Sequence, residues 1–224
     1  KKYEHLYLGH WKDQKDSALW NDAIINPYRI QDLSLVYLNR IVIAIDPAVT
    51  NTKDSDETGI IIVGQDNTNQ YYVLEDCTGK YTPGEWGNLI DRKYKEWKAD
   101  LVVGEVNNGG DLVESNIHNV NRNIRVKKIH SSRGKLTRAE PVAGIYEQGR
   151  VHHVGMFREL EDELTTYDGY EIFDGDAIFG AFAAGYEGYR WFAMPAGQTT
   201  MTLTFVVESD SYWEQDETLT FFLN

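Results

Sequence analysis

The stretch that most constrains the fold is a run of five apolar residues, 41–45, which ends in Asp46 and Pro47. Isoleucine and valine dominate the run, and such a run suits a strand that is buried on both faces of a sheet. Pro47 ends the strand because proline has no N–H to give to a ladder. Asp46 is therefore expected at the carboxyl end of a core strand, where the sites of open α/β sheets gather.

A second acid, Glu105, ends another apolar run, residues 101–104. Carboxylates on adjacent strand ends can share Mg²⁺ or Mn²⁺, which prefer oxygen ligands. Two such ions could activate water and stabilise the leaving oxygen in phosphodiester cleavage. Two alternatives stay open at this point: an Asp before Pro also begins ordinary turns, and both acids could cap loops or pair with Arg40 or Lys53.

The residues after the first strand alternate between apolar runs and polar turns. Runs at 60–64 and 70–74 predict two more strands, so that three antiparallel strands precede the first long helix. Thr82 and Pro83 predict the start of that helix, as its N-cap and its first helical residue. The acid-tipped strand and further strand–helix units follow. The predicted fold class is therefore α/β, with a mixed sheet flanked by helices.

The chain of 224 residues is long enough for one good core and a small appendage. Residues 1–39 are predicted to be an approach segment that packs on the core, and residues 40–185 to be the α/β domain. Residues 186–224 are predicted to be a divergent β-rich tail, because apolar and polar residues alternate there. The sequence does not begin with Met, so we expect it to be a fragment of a longer protein.

The net charge of −13 argues against a broad attraction for nucleic acid. One stretch is an exception, because it gathers basic residues in an acidic chain. Such residues would hold phosphates without reading bases, and the alternative is a solvated strand edge on which lysines block edge pairing. The candidate DNA-binding residues are Arg125, Lys127, Lys128, Arg133, Lys135 and Arg138.

Cys77 is the only cysteine, which excludes an intrachain disulfide and fits a reducing compartment. No run of eighteen apolar residues occurs, so the sequence predicts no membrane-spanning helix.

Five short stretches occur in an order that is characteristic of one protein family. Together they resemble the C-terminal nuclease domain of the large subunit of tailed-phage terminases, a ribonuclease H-like fold, over roughly residues 3–168. The stretches are residues 7–11, 45–48, 104–111, 135–142 and 146–153.

The resemblance implies metal-dependent cleavage of double-stranded viral DNA during genome packaging in the host cytoplasm. It implies Asp46 as the first acid, bridging two Mg²⁺ or Mn²⁺ ions, and Glu105 as the second acid, bound to one of them. It also implies an ATPase motor domain before residue 1, and a small terminase subunit and a portal as partners. The sequence itself contains no Walker-type phosphate loop.

The family places its third acid near the start of its last helix, followed by alanine and an apolar run. Asp176, before Ala177 and Ile178, fits that pattern loosely, and Asp168 and Asp174 are rivals. Residues 199–224 are instead similar to the closing strands of a Calx-β module. They could be a fusion scar, a divergent terminus or strands added to the main sheet.

Two other functions stay open. If the altered C-terminal part lacks the third acid, the domain is expected to be a catalytically silent docking or DNA-binding module with an incomplete metal site. Another member of the same fold, such as a junction resolvase, is disfavoured by the approach segment and by residues 105–110.

Overall fold

The computed structural model describes residues 18–48, 57–105, 111–129, 135–167, 177–178, 182, 200–204 and 218–222. The chain divides into two compact units, residues 1–187 and residues 188–224.

Six strands and five helices of the first unit are described, together with a 3₁₀ turn at Asn26–Tyr28. The strands are β1 (Leu38–Asp46), β2 (Gly59–Asp66), β3 (Tyr71–Asp76), β4 (Leu101–Glu105), β5 (Val126–Ile129) and β6 (Val151–His153). The helices are α1 (Asp22–Ile25), α2 (Pro83–Trp97), α3 (Asp111–Val120), α4 (Lys135–Glu147) and α5 (Arg158–Thr166). In the second unit, β7 (Thr200–Thr204) pairs antiparallel with β8 (Thr218–Phe222).

The six strands form one sheet in the order β5-β4-β1-β2-β3-β6. β2 pairs antiparallel with β1 and with β3. The other three pairings, β1 with β4, β4 with β5 and β3 with β6, are parallel. Every strand except β2 therefore points the same way, and this confirms the predicted α/β class with a mixed sheet. No helix among the described residues has the length and apolar character that crossing a membrane requires.

The apolar run in β1 is continuous because both faces of the sheet are covered. Ala44 and its β2 partner Ile61 pack in one core, which also contains residues of α1, α4 and α5. Ile43 and Ile45 point to the other face and pack in a second core with residues of α2 and α3. The alternation of side chains along a strand divides a single run of apolar residues between two cores.

Helix α2 begins where the sequence predicts it, with a reciprocal pair of hydrogen bonds. The Thr82 hydroxyl accepts the Glu85 N–H at 3.4 Å, and the Glu85 carboxylate accepts the Thr82 N–H at 2.8 Å. This capping box gives two backbone donors at the start of the helix a side-chain acceptor.

A buried polar network fastens the segment before β1 to the rest of the unit. His153 on β6 is only 1% exposed. Its Nδ1 lies 2.8 Å from Glu161 Oε1, and its Nε2 lies 2.8 Å from the Tyr146 hydroxyl. Arg29 donates to both oxygens of Glu161, at 2.6 and 3.0 Å. The network therefore joins Arg29, in the segment before β1, to α4, β6 and α5, which lie more than a hundred residues later in the chain.

The network also shifts two pKa values. Burial alone would raise the pKa of Glu161, but hydrogen bonds from His153 and Arg29 bring it down to about 2. Burial lowers the pKa of His153 despite the adjacent carboxylate. A neutral His153 can donate a hydrogen bond from Nδ1 to Glu161 and accept one from the Tyr146 hydroxyl at Nε2. Each donor in these two hydrogen bonds therefore faces an acceptor.

These pKa shifts predict that the fold loses stability in acid. The contribution of Glu161 is present above its ordinary pKa of 4.5 and is lost as the pH falls towards 2. His153 takes up a proton more readily in the unfolded chain, so stability also falls below pH about 6.5. Glu161→Gln should lower the free energy of unfolding at pH 7 by about 2 kcal/mol and flatten its fall below pH 4.5.

Urea unfolding followed by circular dichroism over a pH series measures both effects. The exposed Glu147 on α4 provides the matched control, since Glu147→Gln removes one negative charge outside the network. An unaltered slope in Glu161→Gln would contradict the assigned role of this carboxylate.

Candidate active site

Asp46 and Glu105 close two adjacent strands of the sheet. β1 and β4 are parallel, and their last paired residues are Ile45 and Gly104. The next residue on each strand is an acid, so the register places position 46 beside position 105, and neighbouring strands lie about 4.8 Å apart. The predicted adjacency of the two strand ends is thus present in the backbone. Asp46 is half-buried, and the side chain of Glu105 lies outside the described part of the structure.

The alternation of β1 places Asp46 on the same face of the sheet as Ala44. The core on that face also contains Ala177 and Ile178. These two residues directly follow Asp176 in the sequence. Asp176 and its rivals Asp168 and Asp174 lie outside the described residues, so the identity of the third acid stays a prediction.

A further acid at this edge, Asp76, was not anticipated from the sequence. It ends β3, which runs parallel to β1, but it pairs with Ile61 and therefore stands level with Ala44 rather than with Asp46. The Thr78 N–H donates to its carboxylate at 2.9 Å. Burial raises the pKa of Asp76, hydrogen bonds from Thr78 oppose the rise, and the nearby Glu159 carboxylate adds to it.

An acid after an apolar run was the sequence signal that could have identified Asp76. The predicted third strand ends at residue 74, two residues too early, so Asp76 falls outside it. Its carboxylate serves the turn that leaves β3.

The chemistry of the edge fits a hard divalent cation. Asp46 offers carboxylate oxygens at a half-buried strand end, and oxygen is the ligand that Mg²⁺ and Mn²⁺ prefer. Among the described side chains, no group of three acids, histidines or cysteines is placed to hold a metal ion. That description omits two members of the predicted set, the side chain of Glu105 and the whole of Asp176.

The predicted DNA-binding residues divide between the two ends of β5. Ile129, at its carboxyl end, pairs with Glu105, so the connection from β5 to α4 leaves from the same edge as Asp46. Lys135 begins α4 after that connection, and Arg138 is half-buried one turn further on. Arg133 lies within the connection, outside the described residues.

Arg125 stands at the other end of β5, directly before its first residue. It lines a polar cleft of about 490 Å³ together with Arg40, Asp66 and Asp100. Lys128 forms an ion pair with Glu114 on α3, with 2.7 Å between Nζ and Oε2, and Lys127 is half-buried. The structure therefore does not bring Arg125 to the edge where Asp46 lies.

Comparisons with known proteins identify the fold. The family model described as the terminase RNaseH-like domain matches residues 43–171. The structure is similar to the large terminase of bacteriophage HK97, with a TM-score of 0.54 and 9% identity over 75% of this chain and 43% of that one. No curated protein sequence matches the chain.

Two further solved structures have lower TM-scores. The large terminase nuclease from thermophilic phage G20c gives 0.48, with 14% identity over 64% of this chain and 81% of that one. The terminase nuclease domain of human cytomegalovirus, soaked with Mn and bound to an inhibitor, gives 0.49, with 14% identity over 74% and 93%. The predicted ribonuclease H-like fold is confirmed by the family match, whose range contains Asp46 and Glu105 and ends before Asp176.

A substitution at Gly104 tests how closely the end of β4 packs against α3. A Cβ atom at this position would lie 2.7 Å from Cγ1 of Val113, which is buried on α3. Gly104→Ala should therefore overpack the contact between β4 and α3 and lower the free energy of unfolding by about 1–3 kcal/mol. Guanidinium unfolding of the purified chain measures the change.

Gly144→Ala is the matched control. Apart from the adjacent residues and the backbone of the helix itself, no atom lies within 4 Å of a Cβ placed there, and the residue is inside α4. This variant should be as stable as the parent chain or gain up to about 1 kcal/mol, because alanine suits a helix interior better than glycine. Equal stability of both variants would contradict the close approach of α3 to β4.

Proposed function

The chain belongs to the terminase ribonuclease H-like domain family, and from that premise we propose that it is a nuclease that cuts double-stranded viral DNA during genome packaging. The observation that carries the proposal is the register of β1 and β4, which sets Asp46 beside the position of Glu105. Acids at the carboxyl ends of adjacent parallel strands are well placed for a site, because ligands of open α/β sheets bind beyond those ends.

In the proposed reaction Asp46, Glu105 and Asp176 hold two divalent cations, Mg²⁺ or Mn²⁺. Such ions, when bound, supply an activated water and stabilise the leaving oxygen of the phosphodiester. Asp46 would bridge both ions and Glu105 would bind one. Two ions bring four positive charges and two carboxylates neutralise half of them, so a third acid is expected.

Asp176 is proposed as the third acid because of the residues that follow it. Ala177 and Ile178 are buried in the core that contains Ala44, on the face of the sheet to which Asp46 belongs. Because Asp176 directly precedes these two residues, its backbone is expected to lie close to that face of the sheet. Asp168 also adjoins this core, through Tyr167 directly before it. Asp176 is preferred because it is followed by alanine and an apolar run, as the third acid of the family is.

The basic side chains of the protein would bind the phosphates of the DNA backbone. Arg133, Lys135 and Arg138 follow the strand end that pairs with Glu105, so their segment leaves from the proposed cleavage edge. Contacts from such residues fix the register of a duplex without reading its bases. We also propose phosphate contacts for Arg125, Lys127 and Lys128, which lie on or before β5. The two lysines face opposite sides of the sheet, and Arg125 lies at its other edge.

The family also suggests the wider setting of this function. We propose that the domain works beside an ATPase motor domain, a small terminase subunit and a portal, in the cytoplasm of the host cell. The alternative proposal is a catalytically silent docking or DNA-binding module. The observation that favours this alternative is that the family match ends before Asp176.

Asp46→Asn is the direct test of the nuclease. The substitution keeps the shape of the side chain but removes the negative charge that would hold two ions. Plasmid nicking in Mn²⁺ should fall to below about one hundredth of the parent rate, since metal ions contribute several kcal/mol to such reactions. Nicking is measured on supercoiled plasmid, and circular dichroism establishes that the variant is folded.

The same assay distinguishes the rival acids. Asp176→Ala should slow nicking and weaken Mn²⁺ binding in calorimetry, whereas Asp168→Ala should do neither. Cleavage at the parent rate by a folded Asp46→Asn protein would remove Asp46 from the site. Parent-rate cleavage by Asp176→Ala would exclude the proposed third acid alone.

The basic segment predicts a change in the salt dependence of DNA binding. The double variant Lys135→Ala with Arg138→Ala should bind all DNA sequences more weakly. The slope of log affinity against log salt concentration should become shallower by about one to two, because each lost phosphate contact releases about one counterion fewer. Titration of a labelled duplex at several salt concentrations, with Ca²⁺ in place of Mg²⁺, measures the slope.

Arg92→Ala with Lys95→Ala is the matched control, because it removes two positive charges from the exposed surface of α2. This control should change the slope little. Equal slopes in the two double variants would show that the segment after β5 does not contact phosphates.

A further inference from the structure

The backbone that leaves Asp46 has an unusual hydrogen-bond partner. The antiparallel ladder between β1 and β2 ends with Asp46 opposite Gly59. Pro47, the residue after β1, has no N–H. The first N–H after Asp46 belongs to Ala48, and it donates to the hydroxyl of Thr58 at 3.3 Å.

Thr58 has few ways to move away from this contact. It is 2% exposed and is one of three polar or charged residues that are buried in the described part of the chain. Its backbone is held from the opposite side by Gly79, through hydrogen bonds of 2.8 and 3.1 Å. The backbone of Thr58 is thus bound to the chain that follows β3, while its side chain is bound to the chain that follows β1.

The neighbouring threonine extends this arrangement. The Thr78 hydroxyl accepts the Ile60 N–H at 3.2 Å, and the Thr78 N–H donates to Asp76. The start of β2 is therefore attached to the ends of β1 and β3 through two threonine hydroxyls. Of the two, only Thr58 contacts the backbone that carries Asp46.

We propose that Thr58 is a positioning residue for Asp46: its buried hydroxyl accepts the first N–H beyond the last ladder pair of β1 and fixes the direction in which the Asp46 carboxylate leaves the sheet. This role rests on the proposed function, because it matters for catalysis only if Asp46 holds metal ions. A carboxylate that bridges two ions must be held in a narrow range of orientations, and the residues that support it are part of the site.

Three variants of Thr58 test the role. Thr58→Val keeps the shape and removes the hydroxyl, Thr58→Ser keeps the hydroxyl and removes the methyl group, and Thr58→Cys offers a weak acceptor of similar size. Thr165→Val is the matched control, because Thr165 is also buried and its hydroxyl donates to the Glu161 carbonyl oxygen within α5, at 2.9 Å. All four are made in the full chain.

The first measurement does not depend on any activity. Amide hydrogen exchange of Ala48, followed by NMR without added metal, should be roughly five- to tenfold faster in Thr58→Val, which is the size of one net hydrogen bond. Thr58→Ser should match the parent chain, Thr58→Cys should be intermediate, and Thr165→Val should match the parent. Unchanged protection of Ala48 in Thr58→Val would overturn the proposed contact.

The second measurement concerns Mn²⁺. The concentration that gives half-maximal nicking should rise roughly tenfold in Thr58→Val, a loss of the size seen when residues that orient metal ligands are changed. Thr58→Ser should restore it and Thr165→Val should not move it, even if both valine variants lose similar stability. An Mn²⁺ requirement that follows stability in all four variants would overturn the positioning role.

The two proposals can fail separately. If the parent chain binds no Mn²⁺ in calorimetry and nicks no DNA, the proposed function fails, and with it the role of Thr58 in positioning a ligand. If the parent chain nicks DNA while Thr58→Val retains the parent Mn²⁺ requirement, only the role of Thr58 is refuted. Should Thr58→Val not fold, Thr58→Cys supplies both measurements.

Discussion

The parallel pairing of β1 with β4 is the contact on which the rest of the arrangement depends. It sets two acidic strand ends side by side, and through the next pairing it brings the end of β5 to the same edge. The pairing holds because the apolar run of β1 is divided between two cores, each covered by its own helices. Hydrophobic burial on both faces therefore fixes the position of an edge that is itself polar.

Much of this could be predicted from short stretches of sequence. The run before Asp46, the capping pair of Thr82 and Glu85, and the apolar run before Glu105 each carry their own local signal. What they do not encode is which strand lies beside β1. The sequence also does not predict two ion pairs, because only the folded chain brings their residues together. These are the pairs of Arg29 with Glu161 and of Lys128 with Glu114. Asp176 remains a prediction, since it lies outside the described residues.

The two edges of the sheet differ in chemical character. At the carboxyl edge lie Asp46, the backbone of Glu105 and the start of a basic connection. At the opposite edge, arginines and acids line the same polar cleft, and Asp100 there accepts the Ile41 N–H at 2.7 Å. The net negative charge of the chain therefore does not describe either edge, because the two edges carry different sets of charged residues.

The hydrogen bond between Ala48 and Thr58 has a consequence for how such a domain can diversify. It closes the base of the segment 49–56, so the two ends of that segment are fixed by the sheet whatever its length. The entropy cost of a closed loop grows slowly, by about 0.6 kcal/mol for each doubling of length. Insertions between Ala48 and Thr58 should therefore cost little stability, and related chains could vary in length here without rebuilding β1 or β2.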